Sequence, residues 1–303
     1  MDDWDHMTAS WTENVNGLVP RIGASSSEHS EIESGQVWRA RWDDVVSMVF
    51  VDRKVGSFQN LVRVAPVTVG ADLADDLTVV LPADSTSLSV SLSVWTELSA
   101  DIAEVVLERW IANVDTYASI GALIEASDAG ILERGLPILN LSGRRAQERR
   151  RLALFMEALS GAVHLISGNG SLPDMIAVAG LTMHALCDVL GIKPATALKI
   201  ANGTGSVDIP QARVLAARLE VGTEVILASN PPIDDELYSA LTRLSVRPRL
   251  TLLGELAGLT NSEAVAEVTR GALALAARKE GDQSMWNARV DLYFKMRLGE
   301  QHQ

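Results

Sequence analysis

Residues 173–229 read PDMIAVAGLTMHALCDVLGIKPATALKIANGTGSVDIPQARVLAARLEVGTEVILAS. Apolar residues return at helical spacing in each piece: Met175, Ile176 and Val178, then Leu186, Val189 and Leu190, then Leu198 and Ile200. Gly180-Leu181-Thr182 and Gly191-Ile192-Lys193-Pro194 interrupt the pieces at the spacing of helices joined by tight turns. The stretch predicts five short helices with two such turns.

The rest of the chain sets limits on what those helices can do. Its 303 residues carry a net charge of -13, which weakens any general attraction to polyanions. The length allows two domains, or two with a helical connector. Hydrophobic residues make up 47% and aromatic residues 5%, so the cores should be built from Ala, Val, Leu and Ile. No apolar run approaches the roughly 18 to 20 residues that span a bilayer. The start, MDDWDHMTASW, is acidic where a secretory signal begins basic and turns apolar. These features predict a soluble, cytoplasmic protein with no membrane partner. The single cysteine, Cys187, excludes an intrachain disulfide and reads as a small core residue. His6, His29, His164, His184 and His302 lack ligand spacing, so no metal or other cofactor is expected.

Working outward, residues 1–34 carry Asp2, Asp3, Asp5, Glu13, Glu28, Glu31 and Glu33 against the one basic residue Arg21. They read as an acidic flexible arm and a possible contact for a protein partner. From residue 35 to 115 the period changes. GQVWRARW alternates, with Val37 on one face and Trp38 on the other; VVSMVFV, LVRVAPVTV, LTVVLP and SLSVSLSVW follow as strands. In SLSVSLSVW the alternation puts the serines on one face and Leu88, Val90, Leu92 and Val94 on the other. SADIAEVVLERWIANV then predicts a helix capped by Ser99, with Ile102, Val105, Val106, Trp110 and Ile111 on one side. Residues 116–170 form a helical connector with the basic run Arg144, Arg145, Arg149, Arg150 and Arg151. That run is a candidate for phosphate contact, or else a solvated helix start paired with the acidic arm. Residues 171–232 hold the five helices, and 233–303 read as further helices.

The segment LCDVLGIKPATALKIANG followed by IPQARVLAARLEV resembles the Xre/Cro-type helix-turn-helix domains. The resemblance implies that Leu186 to Leu190 lies on the second helix and that Pro194 to Ala201 forms the third, which enters the major groove. Lys193, Thr196, Lys199 and Asn202 are then the residues that reach DNA, with Thr204 and Ser206 in the loop behind. Lysines and hydroxyls suit phosphate positioning, and Asn pairs with adenine.

The strands GQVWRARW, VVSMVFV and NLVRVAPVT resemble the MazF/PemK-type toxin ribonucleases, built on an SH3-like barrel. In that family a basic residue after the first strand and a Thr or Ser ending the third share the RNA-cleavage chemistry. Thr68 matches the second position. The first is replaced by the acidic Trp42-Asp43-Asp44, and Arg53 with Lys54 sits in the following turn. Thr68 and Arg53 are therefore weak catalytic candidates.

The expected architecture is α+β: a small N-terminal SH3-like β-barrel, then a larger all-α region containing a helix-turn-helix domain. The expected function is a homodimeric DNA-binding regulator, in a toxin–antitoxin or phage-defence setting. An endoribonuclease acting through the barrel and a non-catalytic protein-binding adaptor are the alternatives.

Overall fold

Alternation in QVWRARW places Val37 and Trp38 in two different cores, one on each face of a sheet. The structure, a computed structural model, describes residues 31–56, 60–114, 116–139, 143–278 and 285–299. The acidic arm lies outside the described residues except for 31–34, as do Trp4, Trp11, His6, His29 and His302. The architecture is mixed α+β, as expected.

Eight antiparallel strands form one sheet: β1 Gln36–Trp42, β2 Val45–Val55, β3 Leu61–Val69, β4 Val79–Leu81, β5 Leu92–Val94, β6 Ala100–Ala103, β7 Leu107–Asn113 and β8 Glu133–Arg134. Their order is β7-β1-β2-β3-β5-β4-β8. The edge of β3 away from β2 is shared, its first half pairing with β6 and its second with β5. The end strands β7 and β8 do not pair, so the sheet is not closed.

Two readings of this region are corrected. Residues 99–114 are not a helix. Ile102 pairs with Val62, and Trp110 with Trp38, because β6 and β7 complete ladders with β3 and β1. The apolar spacing that mimicked a helix face is interrupted by a 3₁₀ turn, Glu104–Val106, and the β-branched residues on either side favour strands. In SLSVSLSVW only Leu92–Val94 is strand, since Ser89 turns the chain at φ 55°. Ser93 is fully buried there and its Oγ donates to the Gly70 carbonyl at 2.7 Å. Of the other serines in the stretch, Ser87 and Ser89 are exposed.

Eleven α-helices are seen among the described residues. Helix α1 (Ile120–Asp128) closes one face of the sheet with Leu123 and Ala126. A bulge at Asp52 aims its buried carboxylate at the start of α1, where it accepts the Ile120 N–H at 2.7 Å. Helix α2 (Arg144–Ser167) lies on the other face, with Leu152, Met156, Leu159, Ala162 and Ile166 as its buried stripe. Helices α3 (Leu172–Val178), α4 (Met183–Leu190), α5 (Pro194–Ala201), α6 (Ile209–Leu219) and α7 (Thr223–Ala228) follow, the five expected. They enclose a core of their own, centred on Leu172, Leu186, Ala197, Ile200 and Leu215.

The last helices are α8 (Asp235–Thr242), α9 (Arg247–Ala257), α10 (Asn261–Arg278) and α11 (Trp286–Leu298). They share a core with the sheet: Leu250, Val265, Val290 and Phe294 pack with Trp38, Val49, Val62 and Ile102. A polar clamp fixes this docking. Asp43, in a left-handed conformation in the β1–β2 turn, accepts the Ser262 N–H at 3.0 Å and the Ser262 hydroxyl. Trp42 Nε1 donates to the same hydroxyl at 3.0 Å. A carboxylate at a helix start satisfies an orphan amide and meets the positive end of the dipole. Asp43→Ala is therefore expected to lower the unfolding free energy by about 1–3 kcal/mol. Urea titration should show a lower midpoint with an unchanged slope.

Candidate nucleic-acid interface

Local signals fix each end of the α4–α5 pair. Thr182 caps α4, its hydroxyl accepting the Ala185 N–H at 3.3 Å. Gly191, at φ 62°, ends that helix in a left-handed turn that most side chains disfavour. Pro194 then opens α5 in the first turn, where its missing N–H costs nothing. Ala197 and Ile200 are fully buried and hold α5 against the core. With 100° between successive residues, Ala195, Leu198, Lys199 and Asn202 form the outward crest, and Thr196 lies to one side.

The structure brings Lys193, Thr196, Lys199 and Asn202 together as exposed residues of α5 and its two ends. Thr204 and Ser206 are exposed in the loop behind it. Neither Lys193 nor Lys199 has a carboxylate partner among the described residues. Leu198 is 50% exposed in the middle of the crest, so the surface is small and only partly polar.

The arginine run lies elsewhere. Arg149 bonds the fully buried Asp75 at 2.5 Å, and Asp75 also holds the turn that follows it through Leu77 and Thr78. Arg151 pairs with Glu148 and covers the ring of Phe155 at 5.0 Å. Arg145 is partly buried, while Arg144 and Arg150 are exposed. Arg149 and Arg151 therefore neutralise carboxylates of their own fold. From the run to the end of α2, where the five helices begin, is about 24 to 35 Å at 1.5 Å per residue.

Thr68 and Arg53 are not brought together either. Arg53 lies in β2, not in a turn, beside Asp52 and opposite Arg63. Thr68 is five positions beyond Arg63 on β3, about 17 Å along the strand. Its hydroxyl is buried and accepts the Trp95 Nε1–H at 3.1 Å, so it is engaged in holding a core tryptophan.

No family model matches this chain, and no curated protein matches it. The geometry of α3–α7 therefore stands on its own physical terms.

Ion pairs that no sequence pattern disclosed attach this unit to the body. Arg213 of α6 bonds Glu263 of α10 through two nitrogens at 2.8 and 2.7 Å. Arg270 reaches Asp208 at 3.1 Å and also binds Glu267, which accepts the Tyr293 hydroxyl at 2.7 Å. Burial pushes the Glu267 carboxyl up, but the Tyr293 hydrogen bond and the Arg270 charge outweigh it and hold it below its ordinary value. Burial and the hydrogen bond to Glu267 push the Tyr293 hydroxyl up to about 12. A carboxyl lowered on folding stabilises the protein above its unfolded value, and that contribution is lost as pH falls through the folded one. Glu267→Gln should accordingly destabilise the protein at neutral pH. The gap to wild type should close on acidification below the ordinary value of 4.5, as followed by urea unfolding at a series of pH values.

Proposed function

We propose that the protein is a DNA-binding regulator whose α3–α7 unit is a helix-turn-helix domain of the Xre/Cro kind. The observation that carries this reading is the exposed, uncompensated set Lys193, Thr196, Lys199 and Asn202 on α5, held by a three-residue turn after α4. Lysines at the cap and in the last turn of a helix suit phosphates on either side of a major groove. Asn202 supplies an adenine-type pairing, and Ala195 a methyl contact for thymine. On this reading the sheet is a degenerate SH3-like barrel that serves as scaffold and dimerisation module, resembling the MazF/PemK toxins without their chemistry. Two copies on paired half-sites would multiply a grip that is small for one.

A protein-binding adaptor is the second reading, favoured by exposed apolar side chains on the same unit. Val178 is 90% exposed, and Leu198, Val214 and Val225 are also open. The engagement of Thr68 by Trp95 and its separation from Arg53 argue against the endoribonuclease.

Fluorescence anisotropy on a pool of duplex DNA should isolate a bound sequence whose affinity falls with salt. Lys193→Ala with Lys199→Ala should lower the slope of log affinity against log salt by about 2 per copy, one for each phosphate no longer neutralised. Arg144→Ala with Arg150→Ala should leave that slope unchanged. A pool with no enriched duplex, beside capture of a protein that Val178→Glu releases, would favour the adaptor.

A further inference from the structure

A cleft of about 410 Å³ opens where the β1–β2 turn and β7 face the start and end of α9 and the start of α10. Arg247 lies in its wall. The residue is only 3% exposed, yet its Nε and Nη1 have no hydrogen-bond partner among the described residues. Leaving charged donors buried and unpaired is costly, so a site of this kind calls for an acceptor.

The charges around Arg247 form two layers. In the inner layer Glu108 is shared by Arg39 at 2.9 Å and Arg41 at 3.7 Å. Asp43 is engaged by Ser262. Three guanidiniums thus face one shared carboxylate and one that caps a helix, which leaves positive charge in excess at Arg247. Burial pulls the Arg247 guanidinium down to about 10, so it remains cationic at neutral pH. The outer layer is the reverse: Asp44 and Glu255 are exposed on the cleft's rim. Neither has an ion-pair partner among the described residues.

A polyphosphate or nucleic acid would meet the acidic rim first and be repelled. A simple cation would be held at the rim and leave the buried donors unsatisfied. The arrangement suits one molecule that carries both charges, an acceptor for the guanidinium and a cation for the rim.

We propose that this cleft binds a small zwitterion, its carboxylate on the buried guanidinium of Arg247 and its ammonium against Asp44 and Glu255. A guanidinium favours a carboxylate, which can take two N–H groups along one of its edges at once. The molecule is of the free amino-acid class, and the spacing of its two charges sets which member fits.

Calorimetric titration of the full chain tests this without DNA, so its outcome is independent of the regulator reading. The probes are glycine, γ-aminobutyrate, acetate and inorganic phosphate. One of the two amino acids should bind more tightly than acetate, and phosphate should not bind. Arg247→Met should lose about thirtyfold or more in affinity, as expected for a buried charge contact. Asp44→Asn with Glu255→Gln leaves the inner layer intact, and should weaken the amino acid about threefold to fivefold while sparing acetate. That second variant keeps the test open if Arg247→Met fails to fold. No binding by either amino acid, phosphate binding as tight as theirs, or rim variants without effect would overturn the proposal.

Discussion

The first turn of α10 is the point at which the parts of this protein hold one another. Thr260 and Glu263 form a reciprocal cap, each side chain accepting the other's main-chain N–H at 3.2 and 3.1 Å. The next open amide, that of Ser262, belongs to Asp43 of the sheet. Glu263 turns its remaining capacity outward to Arg213 of α6. One helix start therefore receives a carboxylate from the sheet and sends one to the five-helix unit. Because the positive end of a long helix lies there, each acid helps to satisfy it while also making a tertiary contact. If that turn frayed, the docking of the C-terminal helices and the seat of α6 would loosen together.

This explains the fate of the acidic turn Trp42-Asp43-Asp44. Read alone, it is a loop that repels phosphate and so spoils a nuclease. In the fold, Asp43 has exchanged that possibility for a helix cap, and only Asp44 faces the solvent side of the cleft. The meaning of such a residue depends on a helix about 220 positions later, as the Asp43–Ser262 separation of 219 records. No local pattern could disclose it. The same holds for Arg247, which reads as an ordinary helix-start cation and becomes distinctive only through burial. Glu267 and Tyr293 likewise meet across two helices.

What was legible in the chain was what short-range chemistry decides. Gly191 and Pro194 mark the turn between α4 and α5 because backbone geometry dictates them there. The Val37–Trp38 alternation places its two side chains in opposite cores for the same kind of reason. Residues 99–114 misled because Ile102, Val105, Val106 and Ile111 satisfy a helix period as well as a pair of strands. Only the open edges of β3 and β1 select between them, and those edges lie about 40 or more residues away in sequence. The exposed kit on α5 was legible, since each residue was placed by a turn and a period. The inward use of the arginine run was not, since Asp75 sits in a loop that periodicity ignores.

Charge is arranged here so that arginines mainly serve the fold. Arg63 grips Asp101 with two bonds, Arg149 grips Asp75, and Arg213 grips Glu263. The overall charge of -13 then has few outward cations to set against it, and the lysines of α5 are among them. Weak general attraction to phosphate has a consequence for a DNA reader. Non-specific binding is almost wholly electrostatic, so it falls furthest, whereas hydrogen bonds to base edges keep their worth. A surface of this composition loses affinity everywhere but loses least at the correct sequence. On the proposed DNA-binding reading, discrimination would come from Asn202 and Ala195 at the crest, with the lysines fixing register.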